Sequence, residues 1–135
     1  MEERKLNDAL TQFDTLTVLL VETNTNTVGV LGRYLEIFGA AVVRAVSMPE
    51  VEECLSFITP DVVMTNVQLE KANGLIVLTT IREHERGIKR PQIPIIAIVD
   101  YSDVEGEIAL SAGFQAYIRT PIEPIRLYAT MRQFV

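Results

Sequence analysis

The chain has 135 residues, 48% of them hydrophobic and 22% charged, which suits one globular domain with a core of its own. Its net charge of −6 sets it against direct contact with nucleic-acid phosphates and with acidic membrane surfaces. The single cysteine, Cys54, excludes an intramolecular disulfide and a multi-thiolate metal centre. Residues 1–5 are not followed by the apolar run of a signal peptide, and no apolar run is long enough to cross a bilayer, so a cytoplasmic protein is expected.

Residues 1–14 come first, with Leu6, Ala9, Leu10 and Phe13 at helical spacing. They are expected to form a leader or a helix packed on the domain, with a dimerisation segment as the alternative. Residues 15–135 form the domain proper. Short apolar runs at 16–21, 41–46, 61–67, 94–99 and 115–119 are mostly continuous and rich in Val and Ile. Strands buried on both faces of a parallel sheet read this way.

Helical segments fill the gaps. Val28, Leu31, Leu35 and Phe38 recur at helical spacing, with Gly39 as the stop. Ser47, with Pro49 and Glu50 close behind, predicts a capped helix burying Val51, Leu55 and Ile58. Gly74 leads into a helix carrying Leu75, Leu78 and Ile81, whose charged far end, 82–86, is expected to be solvated. Residues 101–112 predict a fourth helix ending at Gly113. Residues 124–135 predict a fifth, with Leu127, Tyr128 and Met131 facing inward. Five β-α repeats predict an α/β domain, a doubly wound (βα)5 parallel sheet of flavodoxin-like strand order 2-1-3-4-5, with an extra N-terminal helical segment. In such a sheet the site lies beyond the carboxyl ends of the strands.

At those strand ends the chain resembles the response-regulator receiver domains of two-component signalling, the CheY-like family. The likeness runs from about residue 16 to 135. It is carried by LTVLLVE, by PDVVMTN with Gly74 beyond it, by PQIPIIAIVDYSD and, most specifically, by ALSAGFQAYIRTPIEPIRL.

The resemblance implies an aspartate nucleophile at the end of the third strand, where a carboxylate oxygen attacks phosphorus. The matching residue is Asn66. An amide has no anionic oxygen to offer. The family's acidic pair after the first strand corresponds to Glu22 and Thr23, which leaves one carboxylate for a Mg²⁺ ion that prefers several hard oxygen ligands. The family's hydroxyl residue after the fourth strand is Val99, and its lysine after the fifth is Thr120. Five altered positions together imply a pseudo-receiver: no enzyme, no cofactor, weak or absent Mg²⁺ binding, and a pocket left with the charge of Glu22 alone.

The function expected from this pattern is a phosphorylation-independent signalling or adaptor module acting by protein contact. The partner would be a histidine kinase, another regulator, an output domain or a second copy. The expected contact face is the fourth helix, fifth strand and fifth helix, with Asp103, Glu107, Tyr117, Arg119, Glu123 and Arg126 as its candidate surface residues, Tyr117 half-buried with its hydroxyl at the surface. Two alternatives stay open: a residual phosphorelay receiver or kinase decoy, and a flavodoxin-like small-ligand binder whose ETNTNTVG loop would receive an anion such as a flavin phosphate. His84 is expected to be a solvated side chain, and Cys54 a small buried or half-buried one without an acidified thiol.

Overall fold

The computed structural model describes residues 13–69, 72–88, 92–100 and 102–134. Five strands make one parallel sheet: β1 (Thr17–Val21), β2 (Ala41–Ala45), β3 (Val62–Asn66), β4 (Ile95–Asp100) and β5 (Ala116–Thr120). Their order is β2-β1-β3-β4-β5, every pair parallel. The helices are α1 (Thr25–Ile37), α2 (Met48–Phe57), α3 (Gly74–Ile88), α4 (Asp103–Ala112) and α5 (Pro124–Arg132). A two-residue antiparallel ladder, Gln68–Leu69 with Ala72–Asn73, lies between β3 and α3. The expected fold class and strand order are those observed.

Strand alternation explains why the sheet carries two cores. On one face Leu19, Val21, Val63, Ala97 and Val99 pack with Val51 and Leu55 of α2, Val77 and Ile81 of α3 and Ala109 of α4. On the other, Val18, Leu20, Met64 and Ile98 pack with Leu31 and Leu35 of α1 and Leu127 and Met131 of α5. Runs that are apolar at every position follow from burial on both sides.

The helix ends are those the sequence signals. The Ser47 hydroxyl accepts from the Glu50 N–H, and the Glu50 carboxylate accepts from the Val46 N–H at 2.7 Å. This is a capping box displaced by one residue. Gly39 and Gly113 close α1 and α4 with φ of +98° and +119°, a backbone that glycine adopts without steric cost.

Four expectations need correction or placement. The far end of α3 is not simply solvated. Arg82 and Glu85 form an ion pair, Glu85 is buried, and the Arg82 guanidinium also reaches the Ile93 carbonyl and Gln115 Oε1, each at 3.0 Å. The Ile93 carbonyl before β4 and Gln115 before β5 hold the Arg82 charge inward, and Arg82 holds Glu85. His84 is half-buried, and its Nε2 is enclosed without a hydrogen-bond partner among the described residues. Leu75 is exposed instead of sharing the inward stripe of α3. Phe13, grouped with residues 1–14, is fully buried and packs edge-to-face with Phe38 and tilted against Tyr128, at centroid distances of 6.0 and 5.6 Å. The rest of the proposed N-terminal helix, residues 1–12, lies outside the described residues.

Cys54 is half-buried. Burial, and after it the charges of Glu53 and Glu50, hold its thiol above the usual range, so it is not acidified.

Candidate functional site

β1 ends at Val21, which makes Glu22 the first residue beyond the strand. The side chain is buried, at 1% exposure. A buried carboxylate is costly unless it is hydrogen-bonded, and this one has three donors. Its Oε1 accepts from the N–H groups of Thr23 at 3.0 Å and Asn24 at 2.9 Å. Its Oε2 accepts from Asn66 Nδ2 at 2.8 Å. Asn66, the last residue of β3, uses its other end as well: Oδ1 accepts from the Gln68 N–H at 2.7 Å. The amide therefore bridges β1 to the loop after β3, and both of its polar atoms are engaged.

Thr23 supplies a backbone donor to this arrangement. Asn24 caps α1, its Oδ1 accepting from the N–H groups of Asn26 at 2.9 Å and Thr27 at 3.1 Å. Four N–H groups that would face an anion at this helix start are thus already bonded within the chain.

The opposite wall comes from β4 and β5. Val99 is buried in the apolar layer. β4 runs one residue further than expected, to Asp100, which is the register partner of Thr120. The Thr120 hydroxyl donates to Asp100 Oδ1 at 3.1 Å. Sequence reasoning gives Asp100 no role, since the apolar run of this strand stops at Val99. The signal was present, an acid directly after the apolar run. The site consequently holds two carboxylates, Glu22 and Asp100, and not Glu22 alone. Among the described residues no three His, Cys, Asp or Glu side chains converge on a point that could hold a metal ion. A cavity of about 450 Å³ opens beside Asp100 and Thr120, lined also by Asn24, Asn26, Thr27 and Tyr34.

The five positions predicted from sequence are therefore brought to one end of the sheet. Their polar groups bond mainly to one another and to nearby backbone.

The second candidate region is the α4–β5–α5 face. Tyr117 is half-buried, and its hydroxyl donates to Asp103 Oδ1 at 3.2 Å. The other oxygen of Asp103 accepts from Arg119 Nη1 at 2.9 Å. Gly106 makes the placement of the ring possible, because a Cβ there would lie 2.3 Å from the Tyr117 ring. Burial, then the bond to Asp103 and the charges of Asp103 and Glu107, hold the Tyr117 hydroxyl above its ordinary pKa, with Arg119 opposing. A shallow cavity of about 330 Å³ on this face is lined by Asp103, Tyr117, Arg119, Glu123 and Arg126 among others. Glu107 is exposed on α4 but does not line it.

The response regulator receiver domain model matches residues 18–132. An uncharacterized 14.6 kDa protein encoded in the sodA1 3′ region of Leptolyngbya boryana is 28% identical over 121 residues, covering 87% of this chain and 88% of that protein. Among solved structures, a candidate response regulator from Chloroflexus aurantiacus superposes with a TM-score of 0.78 at 25% identity, over 88% of this chain and 96% of the other. The receiver domain of the sensor histidine kinase PA1611 from Pseudomonas aeruginosa, with a magnesium ion coordinated in its active-site cleft, gives a TM-score of 0.75 at 22% identity, over 88% and 96% of the two chains. Among the described residues no helix is long and apolar enough to cross a membrane.

Proposed function

This chain belongs to the response regulator receiver domain family of two-component signalling, and we propose that within it the chain is a pseudo-receiver, working by protein contact without phosphorylation. One observation carries the reading: at the acceptor position Asn66 donates from Nδ2 to Glu22 and accepts at Oδ1 from Gln68. A neutral amide with both ends engaged offers neither an anionic nucleophile nor a free oxygen to phosphorus. The remaining positions support the same reading. Val99 offers no hydroxyl, Thr120 spends its hydroxyl on Asp100, and the lysine that would balance a phosphoryl group is missing.

The function then moves to the surface, and the α4–β5–α5 face supplies one. The Tyr117–Asp103–Arg119 chain of bonds, with the ring against Gly106, ties α4 to β5 on that face. The proposed partners are a histidine kinase, another regulator or an output domain. A second reading, a small polar ligand, is favoured by the cavity beside Asp100 and Thr120.

The deciding experiment mixes the full chain with Mg²⁺ and acetyl phosphate, and separately with beryllofluoride. Intact mass and amide shifts near residues 22, 66 and 99 are followed. The expected result is no added mass and no shift. A stable phosphoryl adduct overturns the proposal. An endogenous small molecule in the native mass spectrum selects the second reading.

A further inference from the structure

The cavity of about 450 Å³ beside Asp100 and Thr120 lies between α1 and the turn after β5. Thr27, Val30 and Tyr34 recur at helical spacing, so one face of α1 lines it. The rest of the lining includes Asp100 at the end of β4, Thr120 at the end of β5 and Ile122 beyond it. The polar groups here differ from those around Asn66. Among the described residues the side chains of Asn26, Thr27 and Tyr34 make no hydrogen bond, whereas both ends of Asn66 are engaged. Asp100 is exposed. Its Oδ1 accepts from Thr120, and its Oδ2 has no partner among the described residues.

This lining narrows the chemistry of an occupant. Among the described residues it holds one carboxylate and no lysine, arginine or histidine. An anion, a flavin phosphate included, is repelled. The start of α1 does not reverse that. The N–H groups of Asn26 and Thr27 are bonded to Asn24, and the Glu22 carboxylate lies against those of Thr23 and Asn24, offsetting the positive end of the helix. A cation instead finds the open oxygen of Asp100. The amide of Asn26 and the hydroxyls of Thr27 and Tyr34 both donate and accept, which suits a ligand carrying several hydroxyl groups. Val30, 40% exposed, and half-buried Ile122 offer apolar contact to its carbon frame. The volume lies in the lower part of the range for small-molecule sites.

We propose that this cavity binds a small hydroxylated organic cation of the amino-sugar kind. Its ammonium meets Asp100, and its hydroxyls meet Asn26, Thr27 and Tyr34. The proposal rests on the second reading above, a small polar ligand, and gives that ligand its chemical class. It requires nothing of Asn66.

The test titrates the isotope-labelled full chain with three sugars of similar size at mildly acidic pH. Glucosamine carries a charged amine, glucose has a hydroxyl in its place, and gluconate is an anion. Glucosamine should shift the amides of Asn26, Thr27, Thr120 and Ile122. Glucose should bind about fivefold more weakly, the worth of one exposed charge pair, and gluconate should leave the amides in place. Asp100→Asn keeps an acceptor for Thr120 and should weaken glucosamine by the same factor of about five, leaving glucose unaffected. Thr27→Val should weaken both sugars about threefold through one lost hydrogen bond. Unchanged amide positions away from the cavity would show that the variants fold. The proposal falls if no cavity amide shifts at glucosamine concentrations up to about 10 mM, past the millimolar affinity of a weak specific site. It falls equally if glucose binds as tightly as glucosamine, or if Asp100→Asn binds glucosamine as well as the parent. A neutral or anionic endogenous molecule in the native mass spectrum would overturn the class assigned here and leave the second reading intact. No endogenous molecule and no shift with any of the three sugars would sink both.

Discussion

The carboxyl end of the sheet and the outer side of α4 treat their unusual residues in opposite ways. At the sheet end the side chains of Glu22, Asn66 and Thr120 have partners inside the chain: Glu22 with Asn66 and two backbone N–H groups, Thr120 with Asp100. On α4, Val104 and Ile108 are left uncovered. A buried polar group that is already bonded gains little from a ligand, since each new bond must replace an existing one. Uncovered apolar surface still has its burial energy to gain. The contrast sets uncovered apolar surface on α4 against bonded polar groups at the strand ends.

The comparison can be broken most sharply at Asn66. Asn66→Asp replaces a donor with a second carboxylate against Glu22, and it removes a charge-assisted hydrogen bond from a buried acid. A loss of about 2–3 kcal/mol in the absence of divalent ions is expected, by analogy with bonds to charged groups, and urea unfolding would measure it. The same variant should remain unlabelled by acetyl phosphate, because Thr23 leaves the metal short of a ligand and Thr120 supplies no ammonium. Robust labelling would show that the amide alone had silenced the pocket.

A smaller effect is expected on the surface. Gly106→Ala places a methyl group inside the Tyr117 ring position, so the ring must leave. The gain in helix propensity offsets part of the strain, and a net cost of about 1–2 kcal/mol is expected from overpacking. The Tyr117 ring resonances and the amides of β5 should move, while those at residues 22 and 66 stay in place. If the pocket amides move as well, the two regions are coupled and the contrast fails.

The smallest effect is expected at Asp103. Asp103→Asn keeps the shape and removes a charge from an exposed pair, worth at most about 0.5 kcal/mol. Its informative readout is the tyrosinate absorbance. The Tyr117 hydroxyl is held above its ordinary pKa by burial and by Asp103, so the neutral form is favoured in the folded chain. That contribution to stability is present below the unfolded pKa and is lost as pH rises through the folded one. In Asp103→Asn the alkaline titration of Tyr117 should shift down toward the ordinary tyrosine value. An unchanged midpoint would show that burial alone sets it.

Much of this was legible in the chain. The continuous Val and Ile runs announced strands covered on both sides, and Ser47, Gly39 and Gly113 marked helix ends by local backbone chemistry. Asn66, Glu22 and Thr120 could be found because the motifs around them resemble those of receiver domains. Asp100 escaped, since its role depends on facing Thr120 across two strands. The charged run at 82–86 reads as solvated because the groups that draw Arg82 inward, the Ile93 carbonyl and Gln115, lie far along the chain.

The sequence by itself determined that this is a doubly wound receiver domain whose acceptor position carries an amide. Hydrophobic period and helix-end chemistry are local properties, readable along one dimension. Tertiary structure alone decided that the amide spends both its ends, that Gly106 accepts the Tyr117 ring and that α4 leaves Val104 and Ile108 exposed. Each of these is a contact or a missing contact between segments far apart in the chain. Only the packing of the whole sheet and its helices could assign them.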